Sequence, residues 1–545
     1  MRYLGLILAS LLVFIPGISS LPPTDRDESR YVQASRQMLE TGDYVDIRFQ
    51  DQTRYKKPAG IYWLHMAAAK VTGYGAKAPV WVFRTISVLG AVLTVVGILW
   101  LASMLFGPQA GMFSALAMTS AFGLAMEAHI AKTDAMLLAT VVFSQAALGK
   151  IYVDAKQGKP APFRLCVLFW IAQGLGILIK GPITPLLSGL TAGTLSIFDR
   201  DFKWLQGFRS GVGIVIMLAV TAPWFVLITL KSGGAFWEQS VGRDLLAKID
   251  GPQESHGFPP GYYLLTYSLF VWPIAFLGLR AGIHALSRLR SDAALRFLVA
   301  WYLPFWIIFE LIPTKLPHYM LPAYPALAIA LGWYLANPGQ GRKDLKTWQN
   351  WLLRIALFGL MLVTAAFAVG PAIFEWRLNG RISVFSGAIF VAAIVAGWLG
   401  SPAADTIAPL KRLIALVAAV ATTYSLLTAD VLPSLGKIWL SREIATVVDS
   451  NMPCADSRVA VTSYHEPSVV FLAGTQTLLT DPAGAARHLE SDPACAIAAV
   501  ANGDEKAFRE NLGPLAEHLE KIASVDGINY SKGQSLEINI YKLGR

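Results

Sequence analysis

The sequence predicts an α-helical protein that crosses a membrane many times and ends in a small α/β domain. Three observations predict it. Of 545 residues, 54% are hydrophobic and only 15% are charged, whereas soluble globular chains carry about 25% charged residues. Mean hydropathy is +0.48. The 16 Trp, 18 Tyr and 27 Phe suit a bilayer protein with aromatic belts. A soluble fold of this size needs more polar surface than the chain supplies. The same composition excludes a disordered chain or a nucleic-acid-coating protein. The net charge of +10 is then read by position: as an orientation signal, as a site for anionic lipid or phosphate, or as both.

A bilayer core takes ~20 apolar residues per helix. Thirteen such runs start near Tyr3, Val80, Ala110, Ala135, Leu165, Ile183, Gly211, Tyr263, Leu295, Leu321, Trp351, Ser383 and Leu413. With Arg2 in the cytoplasm, the cytoplasmic loops collect Lys156, Lys159 and Arg164; Arg200, Lys203 and Arg209; Arg288, Arg290 and Arg296; Arg342, Lys343 and Lys346; and Lys411 and Arg412. The outer side receives long loops over residues 22–79 and 231–262 and the whole tail. The division expected is a membrane domain, 1–430, and an outer domain, 431–545. The first run reads as an uncleaved anchor of span length, because Pro16 and Pro22 fit a cleavage site poorly.

In the tail, Ser457–Thr462, Gln476–Leu479, Cys495–Val500 and Leu536–Tyr541 read as strands. Pro467–Ala473, Ala483–Leu489 and Glu505–Asn511 read as helices. Cys166 lies in a span as a packing residue. Cys454 and Cys495 share the tail, either as a disulfide in an oxidising compartment or as two unrelated thiols.

Charges near membrane depth are costly, so those on the outer side carry the most information. Four segments stand out. The first is Asp25-Arg26-Asp27-Glu28-Ser29-Arg30, opening an amphipathic helix on which Tyr31, Ala34, Met38 and Leu39 recur. Thr24 as a cap explains one acid there, not the whole cluster. The second is Arg54-Tyr55-Lys56-Lys57-Pro58 with Tyr62-Trp63, whose cations suit lipid headgroups or a bound phosphate. The third is Glu127, His129, Lys132 and Asp134 in one short turn, where Asp134 either caps a helix or takes part in chemistry. The fourth gathers Arg243, Asp244, Lys248, His256, Lys315, His318 and Tyr319, with Lys180-Gly181-Pro182 on the same side. Together they describe an outward cavity rich in cations, suited to a phosphate-bearing lipid. No Walker loop or dinucleotide fingerprint is present.

The chain resembles the membrane glycosyltransferases of GT-C fold that use polyprenyl-phosphate sugars, above all the 4-amino-4-deoxy-L-arabinose transferases of lipid A, relatives of the protein O-mannosyltransferases. The resemblance rests on Asp27-Glu28-Ser29-Arg30-Tyr31, on Tyr55-Lys56-Lys57-Pro58 with Tyr62-Trp63, and on Lys315-Leu316-Pro317-His318-Tyr319. Asp134 and Lys180-Gly181-Pro182 stand at the expected places.

It implies a GT-C fold with about 13 spans and an inverting transfer from an undecaprenyl-phosphate type donor. The acceptor implied is lipid A or lipopolysaccharide, at the periplasmic face of a bacterial inner membrane. It implies that Asp27 is the essential carboxylate, that Asp134 lines the same cavity, and that Arg30 and Lys57 hold the donor phosphate. Glu28, Arg54, Tyr55, Lys56, Lys180, Arg243, Lys315, His318 and Tyr319 complete the candidate donor-binding set. His256 falls where these enzymes have a metal-binding His. Lys56 stands where they usually have a carboxylate, which tells against a divalent metal and suits an acidic sugar. A uronic-acid transferase and a protein O-mannosyltransferase are the alternatives within the class; a lipid or sugar flippase, or an assembly protein acting through its tail, lies outside it.

Overall fold

A computed structural model describes residues 2–247, 257–338, 345–454 and 456–544. Each of the thirteen apolar runs starts on a helix or one residue before it, at most four residues from the helix's first residue. Their lengths differ from expectation. Among the described residues, eight helices are long and apolar enough to cross a bilayer, or nine if the pair Tyr262–Phe270 and Ala275–Leu286, bent by 119°, counts as one. The first run forms α1 (Arg2–Phe14), of 13 residues. At 1.5 Å per residue that is ~20 Å, short of the ~30 Å bilayer core, so the expected span-length anchor is not formed by this helix alone. The third run is broken at Ala121, which leaves the helix with extended backbone.

After α1 come α2 (Asp27–Thr41), α3 (Gly60–Val71), α4 (Val80–Phe106), α5 (Pro108–Ser120), α6 (Phe122–Ala128), α7 (Asp134–Lys156), α8 (Phe163–Lys180) and α9 (Ile183–Asp199). α2 buries Tyr31, Ala34 and Met38, the expected apolar stripe. α4 and α7 approach closely because Gly90 has no side chain: a Cβ there would meet the Met136 amide at 2.6 Å. Gly60 does the same between α3 and α8, where a Cβ would lie 2.7 Å from the Leu178 carbonyl oxygen. That contact sets the start of α3 beside the end of α8, so that the Lys57 loop neighbours Lys180.

The tail forms a five-stranded sheet in the order β4-β3-β5-β7-β6. β3 (Val459–Thr462) pairs parallel with β4 (Leu478–Thr480) and β5 (Ile497–Ala501). β7 (Gln534–Leu543) runs antiparallel to β5 and to β6 (Leu519–Asn529). Two apolar clusters pack on its faces, one around Ile444, Val461 and Ile540, the other around Ala498, Phe508 and Tyr541. β6 was not expected. It is an edge strand with Glu520, Lys521 and Asp526, and a bulge between Lys521 and Ala523 breaks its alternation. A short hairpin, β1 (Arg48–Phe49) and β2 (Gln52–Thr53), was also unforeseen. Cys454 and Cys495 are joined by a disulfide, with Cα atoms 5.3 Å apart.

Candidate active site

Two adjacent acids at the start of α2 have opposite environments. Glu28 is fully buried, and both its oxygens lie 2.8 Å from donors on the guanidinium of Arg84. It also accepts the Ala131 amide at 2.7 Å, the Thr24 amide at 2.8 Å and the Thr24 hydroxyl at 3.0 Å. Burial works to raise its pKa, but Arg84 and these amides hold the carboxyl below its ordinary value. Arg84 spends its other N–H groups on the carbonyls of Ile18, Leu21 and Pro22. Glu28 is therefore a structural acid rather than a donor-binding one. Thr24 donates to Glu28 instead of capping the helix. Asp27, one residue earlier, is exposed and makes no hydrogen bond or ion pair among the described residues. Arg30, half-buried, follows one turn later on the same face.

Asp134 opens α7, and no side-chain cap bond forms there. Its Oδ1 lies 2.5 Å from Lys180 Nζ, at the end of α8, and 4.0 Å from His318 Nε2. Its Oδ2 lies 3.7 Å from Lys132 Nζ. Asp134 thus binds cations rather than capping its helix. Lys132 also pairs with the buried Glu127 at 3.0 Å. Burial works to lower the Lys132 pKa, but Glu127 and Asp134 outweigh it and hold the ammonium above its ordinary value. Lys180 faces the ring of Tyr319 at 5.6 Å, and the ring of His318 stands edge-on to Tyr319 at 5.1 Å. The charge of Asp27 acts on Arg54, Lys132 and Tyr319, and that of Asp134 acts on Lys132 and Tyr319, so both acids face one group of side chains.

The loop before α3 supplies the remaining cations. Arg54 is buried, with its guanidinium 5.1 Å from the centre of the Tyr31 ring, and Tyr31 packs on Tyr62 at 5.4 Å. Lys57 Nζ is 2.6 Å from Asp244 Oδ2. Lys56 is exposed beside it. An apolar cavity of about 280 Å³, lined by Tyr263, Tyr267, Tyr302, Trp306 and Ile355 among others, lies between the later helices.

Three further candidates are placed elsewhere. Tyr55 is buried and its hydroxyl donates to Asp46 at 2.6 Å. Arg243 is exposed and pairs with Glu238 at 2.6 Å. Lys315 is buried, with its ammonium on the Ile312 carbonyl. His256 and Lys248 lie outside the described residues, as do Arg342 and Lys343. Among the described residues no three His, Cys, Asp or Glu side chains group as a metal site. The carboxylates near Asp134 are matched instead with lysines.

Arg84 escaped the sequence reading. The available signal was an arginine four residues into a 27-residue apolar helix, which requires a buried partner.

A family model described as dolichyl-phosphate-mannose-protein mannosyltransferase matches residues 23–231, the stretch holding Asp27, Lys57, Asp134 and Lys180. The chain is 26% identical over 394 residues to an undecaprenyl phosphate-alpha-4-amino-4-deoxy-L-arabinose arabinosyl transferase of Pseudomonas fluorescens, covering 70% of this chain and 67% of that one. It is 28% identical over 357 residues to an enzyme of the same description from Erwinia tasmaniensis, covering 65% of this chain and 62% of that one. Its fold is similar to that of ArnT from Cupriavidus metallidurans, solved bound to undecaprenyl phosphate, with a TM-score of 0.73 at 19% identity over 99% of this chain and 97% of that one. The chain is thus a multi-pass membrane glycosyltransferase with the GT-C fold, and it resembles the undecaprenyl-phosphate aminoarabinose transferases.

Proposed function

We propose that this enzyme moves aminoarabinose, or a closely similar sugar, from undecaprenyl phosphate to lipid A or lipopolysaccharide, with inversion at the sugar carbon. The reaction takes place at the periplasmic face of a bacterial inner membrane, the N-terminus is cytoplasmic, and residues 431–545 form a periplasmic domain over the site. The observation that carries this reading is Asp134 held by Lys180, Lys132 and His318 in front of the exposed Asp27. The donor bond breaks with its electron pair going to a phosphate oxygen. Cations fixed around that oxygen stabilise the developing charge. Lys180, Lys57, Arg30 and Arg54 are assigned this work, and Asp134 fixes Lys180 through an ion pair. Asp27 pairs with the amino group of the sugar and orients it. With a hydroxyl acceptor it takes the proton instead. The apolar cavity suits an isoprenoid chain.

A second reading, transfer of a uronic acid, is favoured by one observation. Lys56 is an exposed cation beside Lys57, where a sugar carboxylate would find a partner. Mass spectrometry of lipid A and core from cells with the enzyme, without it, and with Asp27→Asn separates the two. An aminopentose added only by the unaltered enzyme supports the first, and a hexuronic acid the second. An unchanged glycolipid pool overturns both.

A further inference from the structure

We infer that the C-terminal sheet positions Asp27 by clasping the two residues before it, Asp25 and Arg26. The inference rests on the assignment of Asp27 above. Two segments that flank the sheet's strands converge there. From the turn between β6 and β7, Tyr530 accepts the Asp25 amide on its hydroxyl at 2.6 Å, and the Ser531 carbonyl accepts Arg26 Nη2 at 3.0 Å. From the segment after β3, the Ser468 hydroxyl, in the first turn of the helix Pro467–Ala473, donates to the Asp25 carboxylate, and Glu466 Oε2, just before that helix, lies 3.9 Å from Arg26 Nε. Glu466 is itself fixed, since Oε1 accepts Asn529 Nδ2 at 3.0 Å and both residues are buried.

The clasped residues adopt an unusual conformation. Arg26 has φ +65°, a region that side-chain-bearing residues rarely enter, and it turns the chain directly into α2. On the far side of Asp27, Glu28 is locked by Arg84. Asp27 is thus the exposed residue between two held neighbours. Contacts further along the helix, Gln33 with Thr475 at 2.7 Å and Arg36 over the Phe471 ring at 4.0 Å, hold the body of α2 against the helix Pro467–Ala473 and the residues just after it. A contact serving packing alone would be satisfied by those. The clasp at Asp25 and Arg26 adds control over the direction in which Asp27 points. Tyr530 and Glu466 are accordingly positioning residues.

The test uses the full chain in nanodiscs with the variants Tyr530→Phe and Glu466→Gln, and Asp27→Asn as the reference. Three quantities are read: hydrogen exchange of the peptide spanning residues 22–31, binding of undecaprenyl phosphate, and kcat and KM with undecaprenyl-phosphate aminoarabinose. Tyr530→Phe is expected to speed exchange and lower kcat ~10-fold or more, as small misplacements of a reacting group do. KM and undecaprenyl phosphate binding are expected to stay within about two-fold. Glu466→Gln is expected to move the same quantities less. Unchanged exchange overturns the clasp, and faster exchange with unchanged kcat overturns its positioning role. Full turnover by Asp27→Asn overturns the assignment of Asp27 instead, while exchange still reports whether the clasp exists. If Tyr530→Phe does not fold, Glu466→Gln alone decides by the same criteria.

Discussion

Two clusters of charge lie at opposite ends of the helices, each an aspartate ringed by cations, and they serve different purposes. At the end away from the sheet, Asp199 takes Arg296 at 2.6 Å, Lys156 at 2.7 Å and the Tyr152 hydroxyl at 2.8 Å. Arg296 turns its remaining donors to the Tyr152 hydroxyl and the carbonyls of Leu289 and Arg290. Every strong donor there is matched, and the cluster staples α7, α9 and Ala293–Leu311. At the other end Asp134 also takes two lysines and a ring. There Lys132 is shared between Asp134 and Glu127, and the exposed Asp27 stands beside the cluster with no hydrogen bond or ion pair among the described residues. The difference lies in saturation rather than in charge density. A saturated cluster stabilises; one with an exposed acid left over is available to a ligand.

Four substitutions test that contrast, in falling order of effect. Asp27→Asn should lower transfer ~100-fold or more while leaving the melting temperature unchanged, because the lost carboxylate holds no partner among the described residues. Near-normal turnover would erase the contrast. Lys180→Ala should lower kcat about 10- to 100-fold, with Lys180→Arg recovering part of it. Equal kcat in the alanine variant would make this cluster as structural as its counterpart.

Arg296→Met at the opposite end should cost ~1–3 kcal/mol in stability, read by thermal unfolding, with kcat per folded molecule unchanged. A kcat defect there would mean that the two ends are coupled. The smallest effect concerns Asp25. Burial, with the charge of Glu466, pushes its carboxyl from 3.8 up to about 6, although hydrogen bonds from the hydroxyls of Ser468, Tyr530 and Tyr464 pull the other way. Docked, Asp25 holds its proton up to about pH 6, whereas undocked it ionises near 3.8. The docked form binds more protons, so docking is firmest at low pH, weakens as pH rises from about 4 to about 6, and is level above. Exchange of residues 22–31, corrected for intrinsic rate, should therefore be slower at pH 5 than at pH 7. Asp25→Asn should remove that difference, and a difference that persists would assign it to another group.

Much of this was legible in the chain. Apolar runs marked the long membrane helices to within a few residues, because burial in lipid demands them. The spacing of Tyr31, Ala34 and Met38 marked the buried face of α2. The motifs around Asp27, Lys57, Asp134 and His318 were visible as charges too costly to be idle. What stayed hidden depends on three-dimensional partners. Asp27 and Glu28 are neighbours of the same chemistry, and only the approach of Arg84 from α4 makes one structural. Tyr55 and Lys315 look like phosphate ligands until Asp46 and the Ile312 carbonyl are seen beside them. β6 hid because an edge strand exposes its charges and its bulge shifts the alternation.

The contact between Asp25 and Tyr530 also sets a schedule. The two residues are 505 positions apart. At about 5–20 residues per second, a ribosome needs on the order of 25–100 s to travel from one to the other. Throughout that interval the membrane helices are being inserted while the start of α2 waits for its far partner. A chain released before the last hairpin keeps its spans but lacks Tyr530 and Ser531. Translation of the turn between β6 and β7 therefore decides when the start of α2 can be fastened.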